Sequence, residues 1–223
     1  MQRVFDLAFS LIALIMLSPI FLIIMIVLRI TGEGEIFFLQ ERVGKEKKMI
    51  KLFKFATMMK NSEKIGTGTV TIKNDPRVLP FGKFLRKSKI NELPQLFNVL
   101  KGDMSVIGPR PQTIRCFDAF PKSSQDKIIK VRPGLSGIGS IIFRNEERMM
   151  SDNNDIEDFY DNSIMPYKGL LEEWYVKRLN LRLYFMLIIL TIITIIFSKS
   201  NLIWKFYDDL PKPPDVLKSY LAK

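Results

Sequence analysis

Residues 7–28 read LAFSLIALIMLSPIFLIIMIVL, and how this run is taken decides the fold. Its length as a helix, at about 1.5 Å per residue, is about 33 Å, enough to cross the hydrocarbon core of a bilayer. Pro19 sits near its middle. A proline inside a helix has no N–H to give and crowds the carbonyl four residues back, here that of Ile15. The neighbouring Ser18 hydroxyl can cap the carbonyl so freed, which makes a break tolerable even in lipid. Divided at Ser18-Pro19, each arm is about 15 Å long, too short to cross. The run alone leaves two readings open: a Pro-kinked helix that spans, or a helix–break–helix that dips into one leaflet and returns. Arg3 before the run, with Arg29 and the basic residues 45–48 after it, favours both ends on the cytoplasmic side. The run is too long for a signal peptide, contains proline and lacks an A-x-A site.

Around this segment the 223 residues leave room for one globular domain of about 150 residues. Lysine and arginine number 34 against 23 acids, a net charge of +11, and there is no histidine. A basic surface suits anionic lipid, phosphorylated substrates or nucleic acid. The apolar run argues for the first two, and the aromatics are not interleaved with the arginines as nucleic-acid binding would want. Without histidine, Ser–His–Asp and Cys–His machinery and a histidine-ligated zinc site are excluded. The single Cys116 excludes an internal disulfide and is compatible with a reducing compartment. Acid–base or nucleophilic work therefore falls to carboxylates, lysines or tyrosines.

Further along, residues 35–43 (EIFFLQERV) and 49–57 (MIKLFKFAT) predict two strands joined by a GKEKK turn. Residues 61–71 predict a loop; its Gly66 and Gly68 lack the following helix that a phosphate cradle needs. Residues 80–87 predict a short helix. Residues 91–102 (NELPQLFNVLKG) predict a helix capped by Asn91, with Glu92 and Pro94 in its first turn and Gly102 at its stop. The GPRP loop at 108–111 fixes where Arg110 points. Ser123 or Ser124 opens a helix reaching Val131, and a second Gly/Pro loop at 132–139 leads to Arg144. Residues 145–163, acidic and polar, predict an exposed helix and loop. Residues 168–183 mix Trp174 and Tyr175 with lysine, arginine and leucine, a pattern suited to a helix anchored at a membrane surface. The apolar stretch 183–197 is short for a span and long for a surface strip. The Pro-rich end, 208–223, predicts a loosely held tail.

Arg86, Lys87, Arg110, Arg132 and Arg144 all fall in or beside short loops. A guanidinium in a rigid loop is a bidentate receptor for phosphate oxygens, although any one of these cations alone is better explained as surface charge. Glu92, at a predicted helix start, reads either as a first-turn acid or as a reacting group. A carboxylate among several cations is what Mg²⁺-assisted phosphoryl transfer needs: charge neutralisation, metal ligation and a nucleophile.

The segments QRVFDLAF…LSPIFL, FFLQERVG, KLFKFATM, NDPRVLPFGKFLRKSKINELPQLFNVLKGDMSVIGPRP and VRPGLSG resemble the bacterial sugar transferases of the monotopic polyprenol-phosphate phosphoglycosyl transferase family. The resemblance covers residues 1–145 closely and 165–200 more loosely. It implies an α+β, mainly helical fold. Residues 1–30 would form a re-entrant helix–break–helix membrane anchor, residues 31–165 a cytosolic catalytic domain with a short β hairpin, residues 166–200 membrane-surface amphipathic helices, and residues 201–223 a tail. It also implies a reaction, in which a UDP-sugar gives its phosphosugar to a polyprenol phosphate such as undecaprenyl phosphate, releasing UMP, with Mg²⁺. That step initiates a surface glycan at the cytoplasmic face of a bacterial inner membrane. By the same analogy Glu92 matches the acidic partner of a catalytic Asp-Glu pair and a candidate metal ligand. Arg86, Arg110 and Arg144 match residues that hold the substrate phosphates, and Glu172 matches a later acidic position.

Two residues depart from the family's pattern. Asn91 stands where the nucleophilic Asp is usual, keeping a helix cap and losing the charge. Ala56 stands where Arg or Lys is usual, removing one phosphate contact. Four accounts of Asn91 follow: attack by Glu92, direct transfer with Glu92 holding metal, an Asp→Asn change that has silenced the site, or a catalytically dead protein. The alternative function is a non-catalytic membrane scaffold of the same fold that recruits other glycan-assembly enzymes.

Overall fold

The protein was analysed as a computed structural model, which describes residues 1–65, 74–151, 155–197 and 202–221. Gly66, Gly68 and the second half of the predicted 61–71 loop lie outside the described residues. The fold is α+β and mainly helical, with one antiparallel hairpin and one short parallel strand pair.

Helix α1 (Gln2–Thr31) is the one described helix long and apolar enough to cross a membrane. Pro19 does not end it, so the expected break is not a helix terminus. The Ser18 hydroxyl donates to the Ile15 carbonyl at 2.8 Å, replacing the bond that the proline cannot make. Only 17% of its most apolar window is buried, and the buried residues fall in two groups, Asp6 and Ser10 on one arm and Phe21, Ile24 and Leu28 beyond the proline. One Asp6 carboxylate oxygen accepts three hydrogen bonds, each 2.9 Å: from the Ser105 hydroxyl, the Val106 amide and the Tyr184 hydroxyl. Phe21, Ile24 and Leu28 pack with Phe55 and Leu85.

Strands β1 (Phe37–Val43) and β2 (Met49–Phe55) form the predicted hairpin, with Phe37 opposite Phe55 and Val43 opposite Met49. Helix α2 (Pro80–Lys87) starts on its proline, whose missing N–H is no loss at that position. The helix expected from Asn91 is divided. A 3₁₀ turn covers Ile90–Glu92, and α3 (Gln95–Lys101) begins only after Pro94, ending at Gly102 with φ 97°. Pro94 has no N–H to send back to Ile90, whose carbonyl takes the Leu93 N–H at 3.0 Å instead and tightens the turn. Asn91 is therefore not an N-cap.

Strand β3 (Ser105–Ile107) pairs in parallel with β4 (Gly134–Ser136). This pairing lays the two Gly/Pro loops side by side, so close that a Cβ on Gly134 would collide with the Gly108 amide. Between and after the strands come α4 (Ile114–Asp118), α5 (Lys122–Ile128), α6 (Ile138–Ile142), α7 (Glu146–Ser151) and α8 (Ile156–Phe159). Neither Ser123 nor Ser124 caps α5, which starts after Pro121. A π turn (Tyr160–Ile164) leads into α9 (Met165–Lys177), followed by α10 (Leu181–Phe197), α11 (Leu202–Phe206) and α12 (Asp215–Leu221).

Three expectations are corrected here. Residues 145–163 are not simply exposed, since Met149, Met150, Phe159 and Tyr160 join the main core. Helix α9 does not present its aromatics as a surface anchor. Trp174 is buried against Tyr207 and donates to Asp209 at 3.2 Å, while the Tyr175 hydroxyl donates to the Ile107 carbonyl at 3.2 Å. The tail is not loose: Leu210, Leu217 and Leu221 are buried, and the Tyr167 hydroxyl holds the Pro211 carbonyl at 2.7 Å. Helix α10 buries Leu183, Tyr184, Leu187 and Leu190 and exposes Ile189, Ile192, Ile195 and Ile196.

Candidate active site

A cavity of about 720 Å³ opens between the hairpin, the end of α2, the 3₁₀ turn and the loop carrying Arg110. The hairpin contributes Gln40, Arg42 and Lys54. Gln40 and Arg42 are two apart on one strand and so share a face. Gln40 Oε1 accepts from Arg42 at 2.6 Å and from Lys54 Nζ at 3.0 Å. Arg86, Lys89, Asn91, Glu92 and Arg110 complete this wall, and Ala56 lines it without adding charge.

A second cavity of about 390 Å³ is faced by Leu93, Leu135, Ile141 and the isoleucines 188, 192 and 195 of α10, with Arg144 beside them. Lys89, Glu92, Arg110, Glu146 and Lys168 line both cavities.

Glu92 and Arg110 form a two-pronged pair, Nη1 to Oε2 at 3.2 Å and Nη2 to Oε1. The Glu92 side chain is only 14% exposed. Burial by itself would raise its pKa, but the Arg110 charge and hydrogen bonds, helped by Lys54 and Lys89, hold the carboxyl well below the usual range. Glu92 is thus ionised at any working pH. Burial, together with the Arg42 charge, pushes the Lys54 ammonium down to about 7. Lys168, 3% exposed, is held by Glu146 at 2.6 Å and lies over the Phe143 ring at 5.2 Å. Behind Arg110, burial pushes the Glu172 carboxyl up to about 8, only partly offset by the Arg110 and Gly139 amides and the Lys168 charge. Cations outnumber carboxylates on the polar wall, so an anion entering it meets a net positive field.

Of the residues singled out from sequence, Arg86, Asn91, Glu92 and Arg110 line the polar cavity and Arg144 the apolar one. Lys87 and Arg132 line neither. Arg132 donates to the Gly102 carbonyl at 2.9 Å, and Lys87 ends α2 in solvent. Sequence reasoning passed over Arg42, Lys54, Lys89, Glu146 and Lys168. The hairpin's period-2 alternation was the available signal for Arg42; nothing local marked Glu146 or Lys168, which meet across 22 positions. The Asn91 Oδ1 is buried with no hydrogen-bond partner among the described residues. Among those residues no cluster of three acidic, histidine or cysteine side chains could by itself hold a metal.

Comparison with known proteins bears on this arrangement. The chain is 41% identical over 144 residues to the UDP-glucose:undecaprenyl-phosphate glucose-1-phosphate transferase of Klebsiella pneumoniae, covering 63% of this chain and 30% of that protein. It is 39% identical over 143 residues to the UDP-N-acetylgalactosamine-undecaprenyl-phosphate N-acetylgalactosaminephosphotransferase of Aeromonas hydrophila, covering 63% of this chain and 34% of the other. It is 35% identical over 159 residues to the exopolysaccharide production protein ExoY of Sinorhizobium fredii, covering 65% and 70%. The chain thus spans about a third of the length of the first two of these relatives. The family model described as "Bacterial sugar transferase" matches residues 1–198 of the 223, which takes in both cavities, and the chain belongs to that family.

Proposed function

We propose that the protein transfers the phosphosugar of a UDP-sugar to a polyprenol phosphate, releasing UMP and starting a surface glycan at the cytoplasmic face of a bacterial inner membrane. The observation that carries this reading is the meeting at Glu92 and Arg110 of two cavities, one rich in cations and the other faced by the isoleucines of α10. The polar one suits a nucleoside diphosphate sugar, whose charges Arg42, Lys54 and Arg86 would balance. The apolar one suits the first isoprene units of a lipid phosphate, with Arg144 for its headgroup. The names of the relatives support both substrates, since they describe undecaprenyl-phosphate sugar-phosphate transferases.

Ionised Glu92 is the reacting carboxylate. One of its oxygens attacks the β-phosphorus of the UDP-sugar, forming an O–P bond. The bond from that phosphorus to the bridging oxygen breaks, and its electron pair leaves with UMP. An oxygen of the lipid phosphate then attacks the same phosphorus, forming the lipid-linked diphosphate and restoring the carboxylate. Arg110 moves from neutralising Glu92 to neutralising the phosphoryl oxygens as the carboxylate's charge is used. Mg²⁺ would supply further neutralisation. Asn91 Oδ1, buried with no partner among the described residues, and the Glu92 carboxylate are the oxygens that would hold it.

For α1 we propose the re-entrant arrangement. Arg3 donates to the Val99 and Leu100 carbonyls, and Phe21 lies 6.3 Å from the Phe97 ring. Asp6 on one arm and Phe21, Ile24 and Leu28 on the other are all seated on the same domain, with Ser18-Pro19 between the two arms, and a helix that returns to the side it entered from fits that seating.

The test is UMP release from membranes carrying the protein, supplied with undecaprenyl phosphate, Mg²⁺ and each of a panel of UDP-sugars. Release with one donor, dependent on the lipid, is expected. No release with any donor would favour the scaffold.

A further inference from the structure

Lys89 sits where α2 hands over to the turn carrying Asn91 and Glu92. Its backbone stands at φ 60° and ψ 11°, the left-handed region that residues with a Cβ enter only at a cost. Two hydrogen bonds fix it there: its N–H to the Arg86 carbonyl at 3.1 Å, and the Glu92 N–H to its own carbonyl at 3.2 Å. Glycine or asparagine would make this turn with less strain. Four other described residues outside glycine share a positive φ, Glu46, Lys47, Asn61 and Asn74, and none of them lines both cavities. Strain of this sort persists where the surroundings over-determine it, and it gathers at working sites.

Resting on the reading just given, we propose that Lys89 is a phosphate-binding residue common to both substrates, turned by its left-handed backbone onto the seam where the polar and apolar cavities meet. Lys54 and Arg86 face the polar cavity alone, and Arg144 the apolar one alone. The Lys89 charge also helps keep Glu92 ionised, which places it within electrostatic reach of the reacting carboxylate. An ammonium on three rotatable donors can follow a phosphoryl group from the diphosphate of the donor to the phosphate of the acceptor. It makes and breaks no covalent bond.

The experiment compares Lys89→Gly, Lys89→Ala and Lys89→Arg in the full chain, using the UDP-sugar on which the unmodified protein acts and undecaprenyl phosphate. Rate, KM for each substrate and Tm are read for every variant. Removing the charge should lower kcat/KM for both substrates by about 10–100-fold, the range of a hydrogen bond to a charged group. The Gly variant should keep its Tm or gain up to about 4 °C as the strain is released, while Ala gains nothing and Arg retains most of the activity. Lys47→Gly, at φ 59° on the hairpin turn and outside both cavities, should leave turnover unchanged. Activity within threefold in Lys89→Gly, a change in only one substrate's KM, or activity that merely follows Tm would each overturn the assignment. An unmodified protein that releases no UMP would instead overturn the function on which it rests.

Discussion

The polar cavity is walled by a hairpin and by basic loop residues, whereas the apolar cavity is walled by a helix whose neighbouring isoleucines stay exposed. The first is nearly twice the volume of the second, about 720 against about 390 Å³. One is richer in cations and the other in isoleucines, yet five residues, all of them charged, line both. The difference teaches where the proposed transfer would have to occur. The larger cavity carries most of the cations that would meet a diphosphate, the smaller one most of the aliphatic side chains that would meet an isoprenoid, and the shared wall borders both.

That contrast can be broken most directly at the wall itself. Glu92→Gln should reduce initial UMP release by at least about 10³-fold, with both substrates still bound in equilibrium assays. Retention of a tenth of the rate would move the chemistry elsewhere.

A smaller and one-sided effect is expected from Lys54→Met, which should raise the donor KM about 10–100-fold and leave the acceptor KM within threefold. Its lowered pKa adds a pH signature. The ammonium is charged below about 7 and neutral above it, so donor kcat/KM should fall as pH rises through 7. Lys54→Arg stays charged and should lose that fall. A pH profile identical in Lys54→Arg and the unmodified protein would assign the titration to another group.

The converse one-sided effect belongs to Arg144→Ala. The acceptor KM should rise about tenfold with the donor KM unmoved, because Arg144 lines the apolar cavity and not the polar one. If both constants move together, the two cavities are not separate subsites. The smallest change is expected from Asn91→Asp. With Glu92 as nucleophile, turnover should stay within about tenfold, whereas a gain of orders of magnitude would give position 91 the nucleophile's part.

Much of this architecture was legible from local rules. The hairpin came from aromatic alternation and a basic turn, α2 from its proline start, and the stop of α3 from Gly102. Position 91 misled because a good N-cap residue followed by Glu92 and Pro94 is also compatible with a 3₁₀ turn. The choice depends on which carbonyl loses its donor. Helix α9 misled for a different reason. Its Lys168, Glu172 and Glu173 resemble the polar side of a helix lying on a membrane surface, yet all three are buried, and the Lys168 partner Glu146 is remote in sequence. The β3–β4 pair escaped notice because three-residue strands carry no periodicity. Of the site, Glu92, Arg86, Arg110 and Arg144 were singled out by loop position and resemblance, while the seam itself could not be read without the fold.

The anchor helix also has a bearing on how the protein can be handled. Asp6 accepts from Ser105, Val106 and Tyr184, the first two lying five and four residues before Arg110, and Leu28 lies in a cluster with Phe55 and Leu85. Shortening the chain to begin past Thr31, in search of a water-soluble fragment, would orphan three donors and strip a greasy seat at one stroke. The segment is a keystone rather than a leash, and solubilisation should be sought with lipid discs around the intact chain.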